Sequence, residues 1–318
     1  MPPRTPLGAT LRPRSVISAV HLRASLVVQS PFITKANFSA TTSTREKSSA
    51  PPSPPTRWVS DVRARIGKCI SFGCNPAQVQ RAASIVETLA REWRILSAES
   101  EGFLAGGRAG LENQQVVWGE MDSFGHVNNA NYIRYAESAR VNWILHFAVQ
   151  DPKHQEAWRD LMQPKRIGLI MKSITAEYKF PMTTPDTISA YHRLRTCPEE
   201  TQHPSVKEMI QSSKASHDSN SGPSSTSLIL DCIILSHRHR RIAARTFEDV
   251  AIYDYREAKK TVLPDFMLDV LRDTWRKQEE RTTWARERIW GLLKEVEALE
   301  KETWDREEAV EDFGGAQK

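Results

Sequence analysis

Residues 118–140, WGEMDSFGHVNNANYIRYAESAR, change character halfway along. Asp122, Ser123 and Gly125 are turn formers: an Asp side chain bonds to nearby backbone, and Gly accepts a left-handed φ. Beyond Asn129 the side chains become helical in pattern, and from Tyr132 to Phe147 they are apolar on most sides. Such a helix should be enveloped rather than exposed. A turn leading into it places unpaired N–H groups and the positive end of the helix dipole beside Asp122. From the residues alone, Asp122 reads as the cap of that turn.

Working outward, Val116, Val117 and Trp118 read as the start of a strand before the turn. After the helix come four β-like runs at 168–180, 187–195, 227–236 and 242–253. Pro181 and Pro185 separate the first two, and residues 237–241 form a polar turn between the last two. One strand, one buried helix and four further strands imply an α+β domain, an antiparallel sheet packed on a single helix. It spans 111–255. Residues 198–226, rich in Ser, Asn, His, Gly and Pro, read as a flexible surface insertion.

Helical flanks lie on both sides. Residues 58–110 form an N-terminal helical extension in which Asn75 and Pro76 have the chemistry of a helix start. Val79, Ala82, Val86, Leu89, Trp93 and Leu96 follow at steps of three and four, a stripe that requires a partner surface. Gly106 and Gly107 have no Lys and no strand–loop–helix setting, so they read as a connector rather than a phosphate loop. Residues 256–318 form a charged C-terminal helical extension, with 12 basic and 16 acidic side chains between 256 and 312. Ile289, Leu292, Val296 and Leu299 give it one docked face, and Trp275, Trp284, Trp290 and Trp304 could anchor a protein partner.

Of 318 residues, 44 are Lys or Arg and 39 Asp or Glu, a net charge of +5. Residues 1–45 hold six of those cations and no acid, which leaves 38 basic against 39 acidic in the remainder. The basicity is therefore that of a leader and not of a nucleic-acid-binding body. Arg-bearing, Ser/Thr-rich and acid-free, residues 1–57 read as a mitochondrial transit peptide followed by a disordered Pro/Ser linker. No run of 18 apolar residues suits a membrane span. Cys69, Cys74, Cys197 and Cys232 are too scattered for a disulfide framework or a zinc site. His237 and His239 sit in a basic turn without a carboxylate, so no metal is expected. Neither a G-x-S-x-G elbow nor a Walker or Rossmann fingerprint is present.

Residues 118–140 resemble the hotdog-fold thioesterases of the 4-hydroxybenzoyl-CoA and long-chain acyl-CoA type. The shared motif is an apolar strand, an acid, a second Asp after one residue, then Gly-His-Val-Asn-Asn, a Tyr, and a helix holding Glu and Arg. The resemblance covers about 145 residues and suggests a mitochondrial, fungal-type member with extra helical flanks. It implies a hotdog fold, an antiparallel β-sheet wrapped around a central α-helix. It also implies hydrolysis of an acyl-CoA to free acid and CoA without a cofactor, CoA being part of the substrate.

By that resemblance Asp122 is the catalytic nucleophile or general base, with Glu137 in reserve on the helix. Gly125, His126, Val127, Asn128 and Asn129 form the carbonyl-binding turn, with backbone donors near 127–129 stabilising the oxyanion. Against these roles stand simple structural ones. His126 shapes the turn, Asn128 and Asn129 bond loop backbone, and Glu137 pairs with Arg134 or Arg140 at helical spacing. Several relatives have Asp where this chain has Glu120.

Relatives join their sheets in pairs, which implies a homo-oligomer, dimer or tetramer, with CoA phosphates near cations such as Lys165 and Arg166. Ile133, Val141 and Ile144 mark the direction of an acyl pocket. The Trp-bearing flanks support a second reading, a non-catalytic hotdog module that is a structural or assembly subunit of a mitochondrial complex.

Overall fold

In the computed structural model, which describes residues 50–106, 109–198 and 226–311, the middle of the chain is one curled antiparallel sheet. Its strands are β1 (Gly110–Val116), β2 (Ile167–Tyr178), β3 (Asp186–Leu194), β4 (Ser227–Ser236) and β5 (Arg241–Asp254), with a short β6 (Lys259–Lys260) on β5. The order is β1-β3-β4-β5-β2. Strand β4 shows why both faces are covered. Leu230, Cys232 and Ile234 point one way and Ile233 and Leu235 the other, as the two-residue period demands, and all are buried.

The inner face holds the central helix α3 (Asn129–Gln150). Ala136 and Ala139 of α3 meet Ala190, Ala243 and Ala244 of the sheet. These small side chains let helix and sheet approach closely at interior density. Further along, Trp143, Ile144 and Phe147 pack with Leu230 and Val250, with Trp158 of the short helix α4 (Gln155–Asp160), and with Met267, Leu268 and Leu271. Those last three open the 39-residue helix α5 (Asp265–Thr303).

The outer face is covered by the flanks. Ala98 and Phe103 press on Tyr191, Ile233 and Leu235. Helices α1 (Trp58–Ser71) and α2 (Pro76–Glu99) share a core with the later part of α5, in which Val62, Ile66, Ile85, Leu89 and Leu96 meet Ile289, Leu292, Val296 and Leu299. The buried amide of Gln278 locks α5 to β3. Its Nε2 donates to Leu194 O (3.1 Å), and its Oε1 accepts from Leu194 N (2.9 Å).

Several expectations change. Val116 ends a strand rather than starting one, and Trp118–Glu120 is a 3-10 turn. In α2, Val79 and Val86 are exposed, and Ile85 takes the buried place beside Ala82 and Leu89. The C-terminal helix begins at Asp265, not 256. Residues 50–57 are no free linker: Pro51 O accepts from Arg286 (3.1 Å) and Pro52 O from the Trp290 indole (2.9 Å). Of the other anchor tryptophans, Trp275 and Trp304 pack inside the chain, and Trp284 lies under Arg281. The transit-peptide reading for 1–49 and most of the insertion, 199–225, fall outside the described residues.

Candidate active site

An isolated antiparallel bridge between Met121 and Val127 closes a tight loop at the entry to α3. Asp122 N–H donates to His126 O (2.8 Å) and Gly125 N–H to Asp122 O (3.0 Å). Gly125 has φ +74°, the left-handed region where a side chain is strained. Asp122 Oδ1 accepts from the N–H groups of Phe124 (2.8 Å) and His126 (3.4 Å). The capping role read from the residues is thus present. It occupies one carboxylate oxygen and leaves Oδ2 without a hydrogen bond among the described residues.

Asn128 caps α3, its side chain accepting from Ala130 N–H (2.9 Å). The Asn131 side chain donates to Glu120 O (2.9 Å), and the Glu120 carboxylate accepts from Val117 N–H (2.9 Å), so Glu120 braces the loop. Tyr178, at the end of β2, reaches across to Asn129 O (3.3 Å). The expected oxyanion donors need correcting. Val127 N–H is taken by Met182 O and Asn128 N–H by Glu120 O, both at 2.9 Å. Asn129 N–H alone of the three has no acceptor among the described residues.

Residues 116–271 match the family model of the thioesterase-like superfamily. This stretch is a thioesterase-like superfamily domain with the hotdog fold. Solved structures similar to the chain include the PA2801 protein of Pseudomonas aeruginosa, 20% identical, covering 51% of this chain and 98% of its own, with a TM-score of 0.35. A thioesterase from Thermus thermophilus, complexed with coenzyme A and Zn, is 16% identical over 55% of this chain and 98% of its own, TM-score 0.33. A Staphylococcus aureus DHNA-CoA thioesterase is 14% identical over 51% and 85%, TM-score 0.33. No curated protein sequence matches the chain.

Within the superfamily domain, the reserve carboxylate has no ion pair among the described residues, contrary to expectation. Glu137 is exposed, and Arg140 turns inward to Glu248 (2.7 Å). Glu137 stands on an outward strip of α3 with Ile133, Val141, Leu145 and Val149 at four-residue spacing. Ile144 is sealed in the core, whereas Ile133 is exposed, so the three pocket-marking residues do not line one cavity. Val117, Trp118, Phe124 and Tyr178 add exposed apolar surface around the loop. Lys165 and Arg166 precede β2, at the opposite end from Tyr178 of a 12-residue strand that runs about 36 Å at ordinary strand rise.

One polar cluster escaped the sequence reading. Under α3, Glu248 accepts from Arg140 (2.7 Å) and Thr246 (2.9 Å), with His192 Nε2 at 3.2 Å. Burial alone would raise the Glu248 carboxyl. The hydrogen bond and charge of His192 and the charge of Arg140 outweigh it and hold the group down to about 2. The signal was there: an Arg on the buried side of a helix requires a carboxylate. Tyr135 is similar, its buried hydroxyl without a hydrogen-bond partner among the described residues. Burial first, then the nearby Glu120 carboxylate, push its phenol far above the ordinary range. Among the described residues no three His, Cys, Asp or Glu side chains come together as a metal site, and no helix is long and apolar enough to cross a membrane.

Proposed function

We propose that the chain is an acyl-CoA thioesterase whose catalytic carboxylate is Asp122. One observation carries the reading: in a thioesterase-like superfamily domain, Asp122 has one oxygen tied to its own turn and the other without a hydrogen bond among the described residues, at the N-terminus of α3. A thioester carbonyl placed over the start of α3 meets the Asn129 N–H and the positive end of the helix. Asp122 Oδ2 then either attacks the carbonyl carbon or takes a proton from an attacking water. In the first case the C–S bond breaks to expel the thiolate, leaving an acyl anhydride that water hydrolyses with one of its protons passing to the thiolate. In the second case the water oxygen bonds to carbon, the tetrahedral oxyanion collapses, and the C–S bond breaks. The departing thiolate receives the proton held by Asp122, giving free acid and CoA.

The working unit in this proposal is a homodimer joined through β2. Strand β1 is short and broken by a bulge at Asn113, whereas β2 offers 12 residues of edge with no neighbour other than β5 among the described residues. Antiparallel joining sets the start of one β2 beside the end of the other. The second copy's Lys165 and Arg166 would then approach the loop where Tyr178 meets Asn129.

The test is CoA thiol release by the full chain from short, long and aromatic acyl-CoAs, alongside Asp122→Asn. The expected loss is about 10²-fold or more with the fold intact. A well-folded wild type that cleaves no member of the panel removes the enzyme reading and assigns a non-catalytic hotdog module.

A further inference from the structure

Between the outer helical layer and the sheet, where β2 ends and β5 begins, lies a cleft of about 560 Å³. Arg57, Lys179, Arg241 and Arg245 line it against a single acid, Glu101. Glu101 is engaged by Arg245, and Lys179 bonds Glu177 at 2.6 Å. Arg57 and Arg241 have no carboxylate partner among the described residues. Burial, and next the Arg57 charge, draw Arg241 below its ordinary value, and Arg240 responds in the same way to burial and to Arg63 of α1. Clustered cations without counter-charge destabilise a free protein, and a bound anion relieves that cost.

The cleft is also well defined. The Arg241 guanidinium rests 4.0 Å from the Phe180 ring centre, which fixes its plane and leaves its N–H edge for a ligand. The wall at residues 53–55 belongs to the proline strap that Arg286 and Trp290 hold. Ser97, Ser100 and Trp58 complete that side. All of these wall residues precede residue 116, so the cleft is built by the flank and not by the superfamily domain alone. Residues 179–182 connect it to the active-site loop, ending at the Met182 carbonyl that accepts from Val127.

We propose that this cleft binds a phosphate-bearing anion, with Arg57 and Arg241 as principal ligands and Lys179 and Arg245 in support. Planar guanidinium forks suit phosphate oxygens better than any other group in the cleft. The phosphate has two sources with the same chemistry: the nucleotide end of a CoA thioester, or a separate phosphorylated small molecule.

Calorimetric titration of the full chain with adenosine 3′,5′-bisphosphate and with inorganic pyrophosphate tests the site without any need for turnover. At least one probe should bind tighter than about 1 mM. Binding should weaken as salt rises, since surface charges are screened. Arg57→Gln or Arg241→Gln should each weaken it by about tenfold or more, the scale of a charge-assisted hydrogen bond. Arg57 is exposed and without a carboxylate partner among the described residues, so Arg57→Gln should retain the wild-type melting temperature. Saturating CoA then separates the sources: it blocks the probe if the cleft takes the CoA nucleotide, and leaves probe binding intact if the ligand is a separate molecule. Binding of neither probe up to about 1 mM, or binding indifferent to both substitutions, overturns the proposal whether or not the chain is a thioesterase.

Discussion

The inner face of the sheet meets α3 through alanines and a buried network of Arg140, His192, Thr246 and Glu248, whereas its outer face meets the end of α2 and the segment after it through Ala98 and Phe103 packed on Tyr191, Ile233 and Leu235. Ion pairs of the outer layer keep at least one partner at the solvent rim: Arg81–Glu302 is exposed on both sides, and Arg281–Glu99, Arg65–Glu300 and Arg193–Asp231 each join a buried acid to a partly exposed Arg. Rim pairs contribute little, and aliphatic contacts tolerate change in proportion to the volume lost. A buried charge network is all-or-none: complete it is neutral, broken it leaves a charge in the core. The face that carries the candidate active site is therefore the more brittle one, and the flank is the more forgiving.

The largest effect should follow from breaking the inner network. Arg140→Leu leaves Glu248 buried with only His192 and Thr246, a cost of about 3–5 kcal/mol in urea unfolding. Replacing Glu248 by Leu as well should restore most of that loss. A single mutant within about 1 kcal/mol of wild type would show that the network is not a determinant of the inner face.

Acid probes the same face without mutation. The folded Glu248 carboxyl lies near 2 against an ordinary 4.5. Its contribution is therefore complete above about 4.5 and disappears as pH falls towards 2, an order of 3 kcal/mol in all. Unfolding midpoints should drop across that window, and Glu248→Gln, itself less stable at neutral pH, should show a flatter profile. Equal slopes for both proteins would place the acid sensitivity elsewhere.

On the outer face, Leu89→Ala removes a 1%-exposed side chain from the three-helix core. It should cost about 2–3 kcal/mol. Gln278 and Phe103 tie this layer to the sheet, so amide exchange in β4 should quicken along with that in α2. Faster exchange confined to α2 would mean that the flank opens by itself.

The two faces also differ in how far they could be read beforehand. The four strands after the helix, the buried helix itself and the turn around Asp122 follow from period and turn chemistry, which are local properties, whereas the strand before the turn ends where it was expected to begin. The aliphatic face at Ile289, Leu292, Val296 and Leu299 was equally readable, and all four are buried. What escaped depends on pairings far apart in sequence. Met182 supplies the carbonyl that removes Val127 N–H from the expected oxyanion donors, and Glu248 is 108 residues from Arg140. Pro51 and Pro52 look like spacer until Arg286 and Trp290, more than 230 residues away, supply donors. Helix α1 did carry a local signal, Val59, Val62, Ile66 and Cys69 at steps of three and four, but the adjoining Pro/Ser run obscured it.

The smallest effect sharpens the contrast from the solvent side. Asn75 caps α2 in a reciprocal box: its Oδ1 accepts from Gln78 N–H, and Gln78 Oε1 accepts from Asn75 N–H, both at 2.9 Å. Asn75→Ala removes half of that box from an exposed helix end, at a cost of about 1 kcal/mol. Gln78→Ala should cost less, and the double mutant should fall short of the sum because the two bonds share one turn. The loss should register as faster exchange in the first turn of α2 while thiol release is unchanged, since the cap lies outside the superfamily domain. If Asn75→Ala lowered global stability by more than about 2 kcal/mol, the outer layer would depend on its helix end as sharply as the inner face depends on Arg140, and the division between a brittle face and a forgiving one would fail.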